Sequence, residues 1–325
     1  MDQTNSDLLD LIIIGAAAAG CAAAVYAARR NLNFAIVTKD IGGEVALSGE
    51  VENWPGIIHT TGFQLAQDFH KHAMSYNTPI HEGWWVTGIH KEKNLLTVHA
   101  KNDNNEERMY TAKTVIIASG IHPRLLGIPG EVALKGKGVT YCTVCDGPLY
   151  RKKITATIGA GNSALESALM MSDLAEKVYL LTKFPNDPKV KGGFPKGEDI
   201  LIKKIKAREN VEIIYNAMTD EILGETMVTG LRYTDTTTEE KKDIVANGVM
   251  VHVGMTPNSS FVTNAEKNLA GEVKINMLCQ TSVPGLFAAG DVTDIPFKQI
   301  SIAAGQGATA ALSAIDYLNH WEEGV

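Results

Sequence analysis

Two cysteines separated by two residues are the part of the chain most able to do chemistry. Cys142 and Cys145 lie in the segment YCTVCDGPLY, and Asp146 directly follows the second cysteine. Cysteines at this spacing can close a small disulfide or bind a metal ion. An acidic neighbour can give and take the protons of thiolate chemistry. The segment predicts redox chemistry with Cys142, Cys145 and Asp146 as the catalytic residues.

A metal site is the less favoured interpretation of this pair. A structural zinc ion needs four ligands, and the sequence has no second Cys-x-x-Cys and no cysteine–histidine cluster nearby. We therefore predict no metal. The other cysteines, Cys21 and Cys279, are interpreted as small hydrophobic residues. The tandem Trp84 and Trp85 are interpreted as core or interface residues.

Composition limits the remaining classes of protein. Among 325 residues, 45% are hydrophobic and 21% are charged, as in globular proteins. The net charge of −7 argues against a general nucleic-acid binder. No apolar run approaches the roughly 18 residues of a membrane span, and the N-terminal segment lacks a basic start and a cleavage site. We expect a cytoplasmic protein, in which a lone Cys-x-x-Cys is more often redox-active than structural.

Two strand–turn–helix starts must position these residues. The apolar run LLDLIIIG ends at Gly15, a helix of small residues follows, and NFAIVTK is the next strand. The same order recurs in ITATIGAGNSALESALMMS and KVYLLTK. Each is a βαβ unit of the dinucleotide-binding kind. We predict an α/β fold with two Rossmann-like, doubly wound domains.

The second of these domains looks inserted into the first. Near the end of the chain, GLFAAGDVTD reads as a strand that closes on Gly290 and Asp291, and a helix of small residues follows. We predict one discontinuous domain from residues 1–117 and 248–325. The inserted domain then spans residues 118–247 and carries the cysteine pair.

The glycine turns differ in how well they match a dinucleotide site, Gly-x-Gly-x-x-Gly. In GAAAAG, Ala17 replaces the second glycine, so an alanine-rich core helix is an equally good interpretation of this motif taken alone. In GAGNSA, Gly159 and Gly161 are both kept. The strand after it nevertheless ends in Thr182, without the acidic residue or the arginines that read a ribose or its phosphate.

Taken together, these motifs resemble the low-molecular-weight thioredoxin reductases. The resemblance runs nearly end to end, and Cys-x-x-Cys-Asp-Gly just before a second glycine turn is its most specific element. The similar segments are GEVENWPGI, TVIIASGIHPRLLGIPGE, GVTYCTVCDG, GAGNSALESA, HVGMTPNS, TSVPGLFAAGDVTD and KQISIAAGQGATAA.

The resemblance implies a flavoprotein that reduces thioredoxin or a thioredoxin-like protein and forms a homodimer. Cys145 would take electrons from FAD, Cys142 would attack the partner's disulfide, and Asp146 would handle protons. The FAD contacts implied are Gly15, Ala17, Ala19, Gly20, Thr38, Lys39, Gly43, Val45, Asn53, Ala118, Gly120, Gly290, Asp291, Lys298, Gln299 and Ile300.

The chain departs from the family where NADPH would bind. The usual member carries His-Arg-Arg there, but this chain has Thr182, Lys183 and Phe184. It looks more like the branches reduced by ferredoxin or a deazaflavin. From Lys183 to Arg208, eight Lys or Arg stand against three Asp or Glu, a local balance of +5 that leaves −12 elsewhere. This segment could attract an acidic electron carrier, screen a 2′-phosphate or simply be a solvated face.

We therefore expect reduced ferredoxin or another non-NADPH donor, with an NAD(P)H-dependent thioredoxin reductase as the alternative. Two further classes stay open. One is a ferredoxin–NADP reductase relative without dithiol chemistry, against which the cysteine pair argues. The other is a flavin-binding redox sensor without turnover.

Overall fold

The computed structural model describes residues 8–48, 50–51, 53–187 and 197–322, without the side chains of Glu50 and Cys145. The chain divides into two compact units. The first unit comprises Met1–His122 and Thr256–Val325, and the second comprises Pro123–Met255. Within the described residues, no helix has the length and apolar character needed to cross a membrane.

Nineteen strands are present in the described residues. In chain order they are β1 (Leu9–Ala16), β2 (Phe34–Ile41), β3 (Glu50–Val51), β4 (Thr60–Thr61), β5 (Ile80–His81), β6 (Trp85–Glu92), β7 (Leu95–Lys101), β8 (Glu107–Ile117), β9 (Ile121–Pro123), β10 (Val139–Thr140), β11 (Ile154–Gly159), β12 (Lys177–Leu181), β13 (Val211–Ile214), β14 (Ala217–Gly224), β15 (Val228–Asp235), β16 (Lys241–Val245), β17 (Gly248–His252), β18 (Met255–Pro257) and β19 (Leu286–Ala288).

Seven α-helices connect or cover these strands in the same residues. They are α1 (Ala18–Arg29), α2 (Gly43–Ala46), α3 (Gly62–Met74), α4 (Thr143–Asp146), α5 (Asn162–Leu174), α6 (Asp199–Lys206) and α7 (Ile300–Asn319). Single 3₁₀ turns form at Gly147–Tyr150 and Gly290–Val292.

The first unit is built on a seven-stranded sheet in the order β5-β2-β1-β8-β7-β6, with β19 beside β8. Strand β1 is parallel to β2 and β8, and its run of isoleucines is buried on both faces, as central parallel strands are. Helices α1 and α7 pack closely because both are rich in small residues. A Cβ on Gly307 would lie 2.0 Å from the Ala19 carbonyl oxygen.

The second unit combines a parallel five-stranded sheet, in the order β10-β17-β11-β12-β13, with an antiparallel sheet β14-β15-β16. One face of the parallel sheet packs on the antiparallel strands through Ala156, Ile158 and Leu231. Helix α5 contributes Leu165 and Ala168 to the apolar cluster that also holds Val178 and Leu180. The two parallel βαβ starts agree with the predicted α/β fold.

The observed boundaries of the inserted unit differ from the predicted 118–247. Strand β17 begins at Gly248 and pairs in parallel with β10 and β11, so it is a central strand of the second unit. At the other boundary, the Ala118 amide donates to the Ile14 carbonyl at 2.8 Å, which keeps this residue with the first sheet. Sheet membership depends on partners that are distant in sequence, so the sequence places these joints only to within several residues.

Candidate active site

The predicted redox segment lies in the second unit, between the end of β10 and the start of α5. Cys142 is disulfide-bonded and half-buried, and it is the N-cap residue of α4. Cys145 lies within this four-residue helix, and Asp146 ends it. The Asp146 amide donates to the Cys142 carbonyl oxygen at 3.1 Å. The backbone therefore brings Cys142 and Asp146 to one helical turn.

Thr140 joins Asp146 to the cysteine backbone. Its hydroxyl donates to the Asp146 carboxylate and accepts the amide hydrogen of Cys142 at 3.1 Å. Thr140 itself is buried. One side chain thus fixes both the carboxylate and the start of α4, a role that its place in the sequence does not signal.

A second group of polar side chains, two buried and one half-buried, contacts α4 on its inner side. The Thr143 hydroxyl lies 2.6 Å from the Ser167 hydroxyl on α5 and 2.8 Å from Nε2 of His252 at the end of β17. Burial lowers the pKa of His252 to about 4, so its ring is neutral at physiological pH. Ser167 and His252 are 24 and 109 residues from Thr143, so sequence reasoning did not find them.

Tyr141, next to Cys142, is fixed by a buried carboxylate. Its hydroxyl donates to Glu131 at 2.9 Å, and Glu131 also accepts the amide hydrogens of Leu126 and Gly127 at 2.8 Å each. Burial raises the pKa of Tyr141, with Glu131 adding to the shift. The phenol therefore stays protonated and keeps donating.

A cavity of about 840 Å³ opens in the first unit at the carboxyl ends of β1 and β2. This is where a doubly wound sheet binds its ligand. Thirteen of the predicted cofactor contacts line it: Gly15, Ala17, Ala19, Thr38, Lys39, Gly43, Val45, Ala118, Gly120, Gly290, Asp291, Lys298 and Ile300.

Three predicted contacts are not on the cavity wall. A Cβ on Gly20 would lie 1.9 Å from the Gly15 carbonyl oxygen, so this glycine serves the close packing of α1 on β1. The Asn53 amide instead donates to the Gln299 side chain at 3.2 Å. These two residues pair with each other.

The cavity fits a dinucleotide. Gly15 has φ +108°, and a Cβ there would lie 2.4 Å from the Ala118 carbonyl oxygen, so the tight turn requires glycine. Ala17 gives α1 no side-chain cap, which leaves its first amide groups for a phosphate. Ala17 therefore does not abolish the turn. Burial raises the pKa of Asp291 to about 6, and Lys298 opposes the shift.

The tandem tryptophans contribute more than predicted. Trp84 is a core residue, as expected, but both Trp84 and Trp85 also line the cavity. The Trp84 amide donates to the Thr38 carbonyl oxygen at 3.0 Å, which brings the pair to the end of β2. The two residues are far apart in the sequence, and no short sequence pattern predicts their contact.

The second glycine turn is formed, and Gly197 and Glu198 pack against the first turn of its helix. Gly159 has φ +152° and Gly161 is the N-cap residue of α5. The Glu198 amide donates to Asn162 Oδ1 at 2.9 Å, and Asn162 Nδ2 donates back to the Glu198 carboxylate at 3.3 Å. A Cβ on Gly197 would lie 2.3 Å from Leu165, so this segment lies tightly on the first turn of α5.

The strand end beside that turn is closed as well. Thr182 is buried, and its hydroxyl accepts the Phe184 amide hydrogen at 3.3 Å. The Phe184 ring packs on the apolar cluster of α5, and Lys183 Nζ lies 5.7 Å from the ring centroid. Residues 188–196, which belong to the basic segment from Lys183 to Arg208, lie outside the described residues.

The remaining cysteines are free and buried, as interpreted from the sequence. Burial raises the pKa of Cys21 to about 12 and that of Cys279 to about 11, so both stay protonated. No group of three or more His, Cys, Asp or Glu among the described residues could hold a metal ion.

A family model described as pyridine nucleotide-disulphide oxidoreductase matches residues 9–307. The chain belongs to the pyridine nucleotide-disulphide oxidoreductase family. This agrees with the predicted resemblance and with the parallel βαβ start in each unit.

Individual members of this family are also similar to the chain in sequence. An alkyl hydroperoxide reductase subunit of Staphylococcus epidermidis is 40% identical over 315 residues, which are 97% of this chain and 60% of the relative. The chain thus spans about 60% of the length of the curated relatives it matches.

Two solved structures share the fold over nearly their whole length. Thioredoxin reductase from Streptococcus pyogenes has a TM-score of 0.79 and 32% identity, covering 98% of this chain and 100% of that one. A ferredoxin-flavin thioredoxin reductase from Clostridium acetobutylicum has a TM-score of 0.51 and 28% identity, covering 97% and 98%. The fold of this family member is therefore that of the low-molecular-weight thioredoxin reductases.

This pyridine nucleotide-disulphide oxidoreductase is an FAD-binding flavoprotein, as predicted. The residues that would hold FAD are those that line the cavity of the first unit, with Gly15 at the turn and Asp291 and Lys298 also on its wall. When bound, FAD supplies the two-electron chemistry.

Proposed function

We propose that the protein is a flavin-dependent disulfide reductase that reduces thioredoxin or a thioredoxin-like protein through Cys142 and Cys145. The observation that carries this proposal is the disulfide-bonded Cys142 on one turn with Asp146, in a chain whose other unit has a cavity suited to FAD. We further propose a cytoplasmic homodimer, in keeping with the resemblance.

The residues of this turn account for the transfer to the partner. In the dithiol form, the Cys142 thiolate attacks one sulfur of the partner's disulfide, and the other partner sulfur leaves as a thiolate. Cys145 then attacks Cys142 in the mixed disulfide, which frees the second partner sulfur and restores the Cys142–Cys145 bond. Asp146 gives and takes the protons, and Thr140 holds its carboxylate.

The electron donor proposed is reduced ferredoxin or another carrier that is not a pyridine nucleotide. Support comes from the Asn162–Glu198 pair, which places a carboxylate at the start of α5, where a dinucleotide would put its pyrophosphate. A phosphate there would meet a like charge. The ferredoxin-flavin enzyme among the similar structures gives this donor a precedent.

A second candidate substrate is the hydroperoxide-reducing partner of an alkyl hydroperoxide reductase. The 40% identity to one subunit of such an enzyme favours it. The thiol–disulfide steps would be the same, and only the surface around the partner's disulfide would differ.

Anaerobic mixing of the FAD-loaded protein with NADPH, NADH and reduced ferredoxin tests the donor, with flavin absorbance as the readout. We expect bleaching by ferredoxin within seconds and none by either nucleotide at micromolar concentration. Rapid bleaching by NADPH would overturn the donor proposal but leave the disulfide chemistry standing.

A Cys145→Ser variant tests the dithiol chemistry. It should lose reduction of thioredoxin and of the hydroperoxide-reducing partner, and should instead trap a mixed disulfide through Cys142 that is visible on a non-reducing gel. The better substrate is the partner that the variant traps and that the unaltered protein reduces faster. Full activity of Cys145→Ser would reject the mechanism.

A further inference from the structure

The polar group beneath the redox turn consists of the buried Thr143 and Ser167 and the half-buried His252. All three belong to the second unit, on α4, α5 and β17. Thr143 and Ser167 are each 4% exposed, so their hydroxyl groups are shielded from water. Thr143 contacts both partners, at 2.6 and 2.8 Å, and so ties α4 to the helix and to the sheet.

Helix α4 needs such anchors because it has only four residues. A helix of this length has no stability of its own in water. In the structure Cys142 is disulfide-bonded, and that bond restrains the turn. Once the disulfide opens, the hydrogen bonds of the Thr140 and Thr143 side chains still tie α4 to its surroundings.

Ordering of the turn and closure of its disulfide help each other. Hydrogen bonds that keep α4 in place in the dithiol form hold the cysteines near the geometry of the closed bond. Closing the disulfide then costs less conformational entropy, because the turn is already ordered. The effective concentration of one thiol at the other is correspondingly higher. A more stable disulfide makes the dithiol a stronger reductant.

We propose that His252 is a positioning residue for the redox pair: through Thr143 it keeps α4 ordered in the dithiol form and thereby strengthens the dithiol as a reductant. The inference rests on the proposed function, because it assigns His252 to the same dithiol. His252 itself exchanges neither electrons nor protons with the substrate.

Equilibration of the FAD-loaded protein with mixtures of reduced and oxidised dithiothreitol tests the inference. Closing the disulfide releases two electrons and two protons, which open the ring disulfide of oxidised dithiothreitol to its dithiol. Alkylation of the thiols followed by mass spectrometry counts the reduced fraction. This readout needs neither an electron donor nor thioredoxin, so it does not depend on the donor or the substrate.

His252→Leu removes the hydrogen bond to Thr143, and Thr143→Val removes that bond together with the one to Ser167; neither adds a charge. We expect each to shift the equilibrium about tenfold toward the dithiol, which corresponds to about 30 mV. Thr143→Ser, which keeps the hydroxyl, should behave like the unaltered protein. Thr234→Val is the matched control, because it removes a hydroxyl bond to Asp220 of 2.6 Å elsewhere in the second unit. It should leave the equilibrium unchanged.

The outcomes separate a positioning role from a structural one. If Thr143→Val and His252→Leu lower the melting temperature but leave the dithiol equilibrium unchanged, the group only stabilises the fold and the inference is wrong. If both shift the equilibrium but the protein fails to reduce thioredoxin, the inference stands and the proposed substrate does not.

Discussion

At the scale of single residues, Thr140 links the two groups that the dithiol chemistry uses. Its hydroxyl donates to Asp146 and accepts from the Cys142 amide. A hydrogen bond to a carboxylate is stronger than one between neutral groups. Thr140 therefore sets where the proposed proton carrier points.

Replacing Thr140 with valine should slow disulfide reduction about tenfold, since the Asp146 carboxylate loses its donor and can turn away from the cysteines. A tenfold change corresponds to about 1.4 kcal/mol, close to the lower end of the roughly 1.5–3 kcal/mol contributed by a hydrogen bond to a charged group. Steady-state reduction of thioredoxin across pH 6 to 9 measures the rate. Thr140→Ser keeps the hydroxyl and should retain most activity, and equal rates for the valine and serine variants would contradict the role.

His252 gives the stability of the fold a pH dependence of known sign. Burial lowers its pKa from 6.5 to about 4, so the native state keeps the ring neutral while the unfolded chain takes up a proton near pH 6.5. This contribution to stability is complete above pH 6.5 and is lost as the pH falls toward 4.

Between pH 7 and pH 5, the unaltered protein should therefore lose about 1–2 kcal/mol more stability than His252→Gln, which cannot titrate. Urea unfolding of the oxidised protein at both pH values, followed by circular dichroism, measures the difference. The comparison cancels the other histidines, which are common to both proteins. A pH response of the same size in both would show that His252 is not neutralised by burial.

The residues that the sequence could predict are those whose chemistry is local. Cys142 and Asp146 are four positions apart and lie on one turn, as their spacing predicts. His252 and Trp84 reach their sites through folding over many residues, and no short pattern marks either. Proximity in sequence, rather than chemical importance, decided which residues were found.

At the scale of the elements, the two glycine turns have different uses. A turn from strand to helix is a local feature, so both turns were predicted correctly in place. The contacts at the start of α5 were not predictable, because Glu198 is 36 residues from Asn162, its partner there. Gly197, beside it, packs on Leu165. The domain boundary near Gly248 also depends on distant contacts, since β17 is assigned by its partners β10 and β11.

Two alanine substitutions in the second turn distinguish packing from nucleotide binding. A Cβ on Gly159 would lie 2.3 Å from the His252 carbonyl oxygen at φ +152°, so Gly159→Ala should destabilise the second unit by more than about 1 kcal/mol. No atom lies within 4 Å of a Cβ on Gly161. Gly161→Ala should leave both melting temperature and ferredoxin-driven turnover unchanged.

This second glycine is the one that lets a backbone approach pyrophosphate. If NAD(P)H were the donor, Gly161→Ala would raise the KM for the nucleotide while the melting temperature stayed the same. Turnover with each donor and thermal unfolding of both variants therefore test whether the start of α5 binds a nucleotide.

At the scale of the whole molecule, charge is unevenly distributed. The segment from Lys183 to Arg208 carries +5 in a chain of net charge −7. Lys203, Lys204 and Lys206 lie in the last turns of α6 and are exposed, and none of them forms an ion pair with another described residue. An exposed cluster of one sign attracts carriers of the opposite sign from solution.

If an acidic electron carrier is the donor, this cluster should steer its approach. Reversing the charge of Lys203, Lys204 and Lys206 to glutamate should slow bimolecular reduction by ferredoxin about tenfold at low ionic strength, because steering acts mainly on the association rate. The difference should vanish near about 0.5 M salt, where the Debye length falls to about 4 Å. Stopped-flow bleaching of the flavin at several salt concentrations measures both effects.

The matched control reverses three exposed lysines of the first unit, Lys71, Lys93 and Lys274, and so changes the net charge equally. General repulsion would slow both triple variants alike, whereas steering by the α6 cluster slows only the first. Equal rates for the two variants at every salt concentration would remove the α6 lysines from the electron-entry path. That result would not contradict the proposed dithiol chemistry of Cys142, because this step takes place after the flavin is reduced.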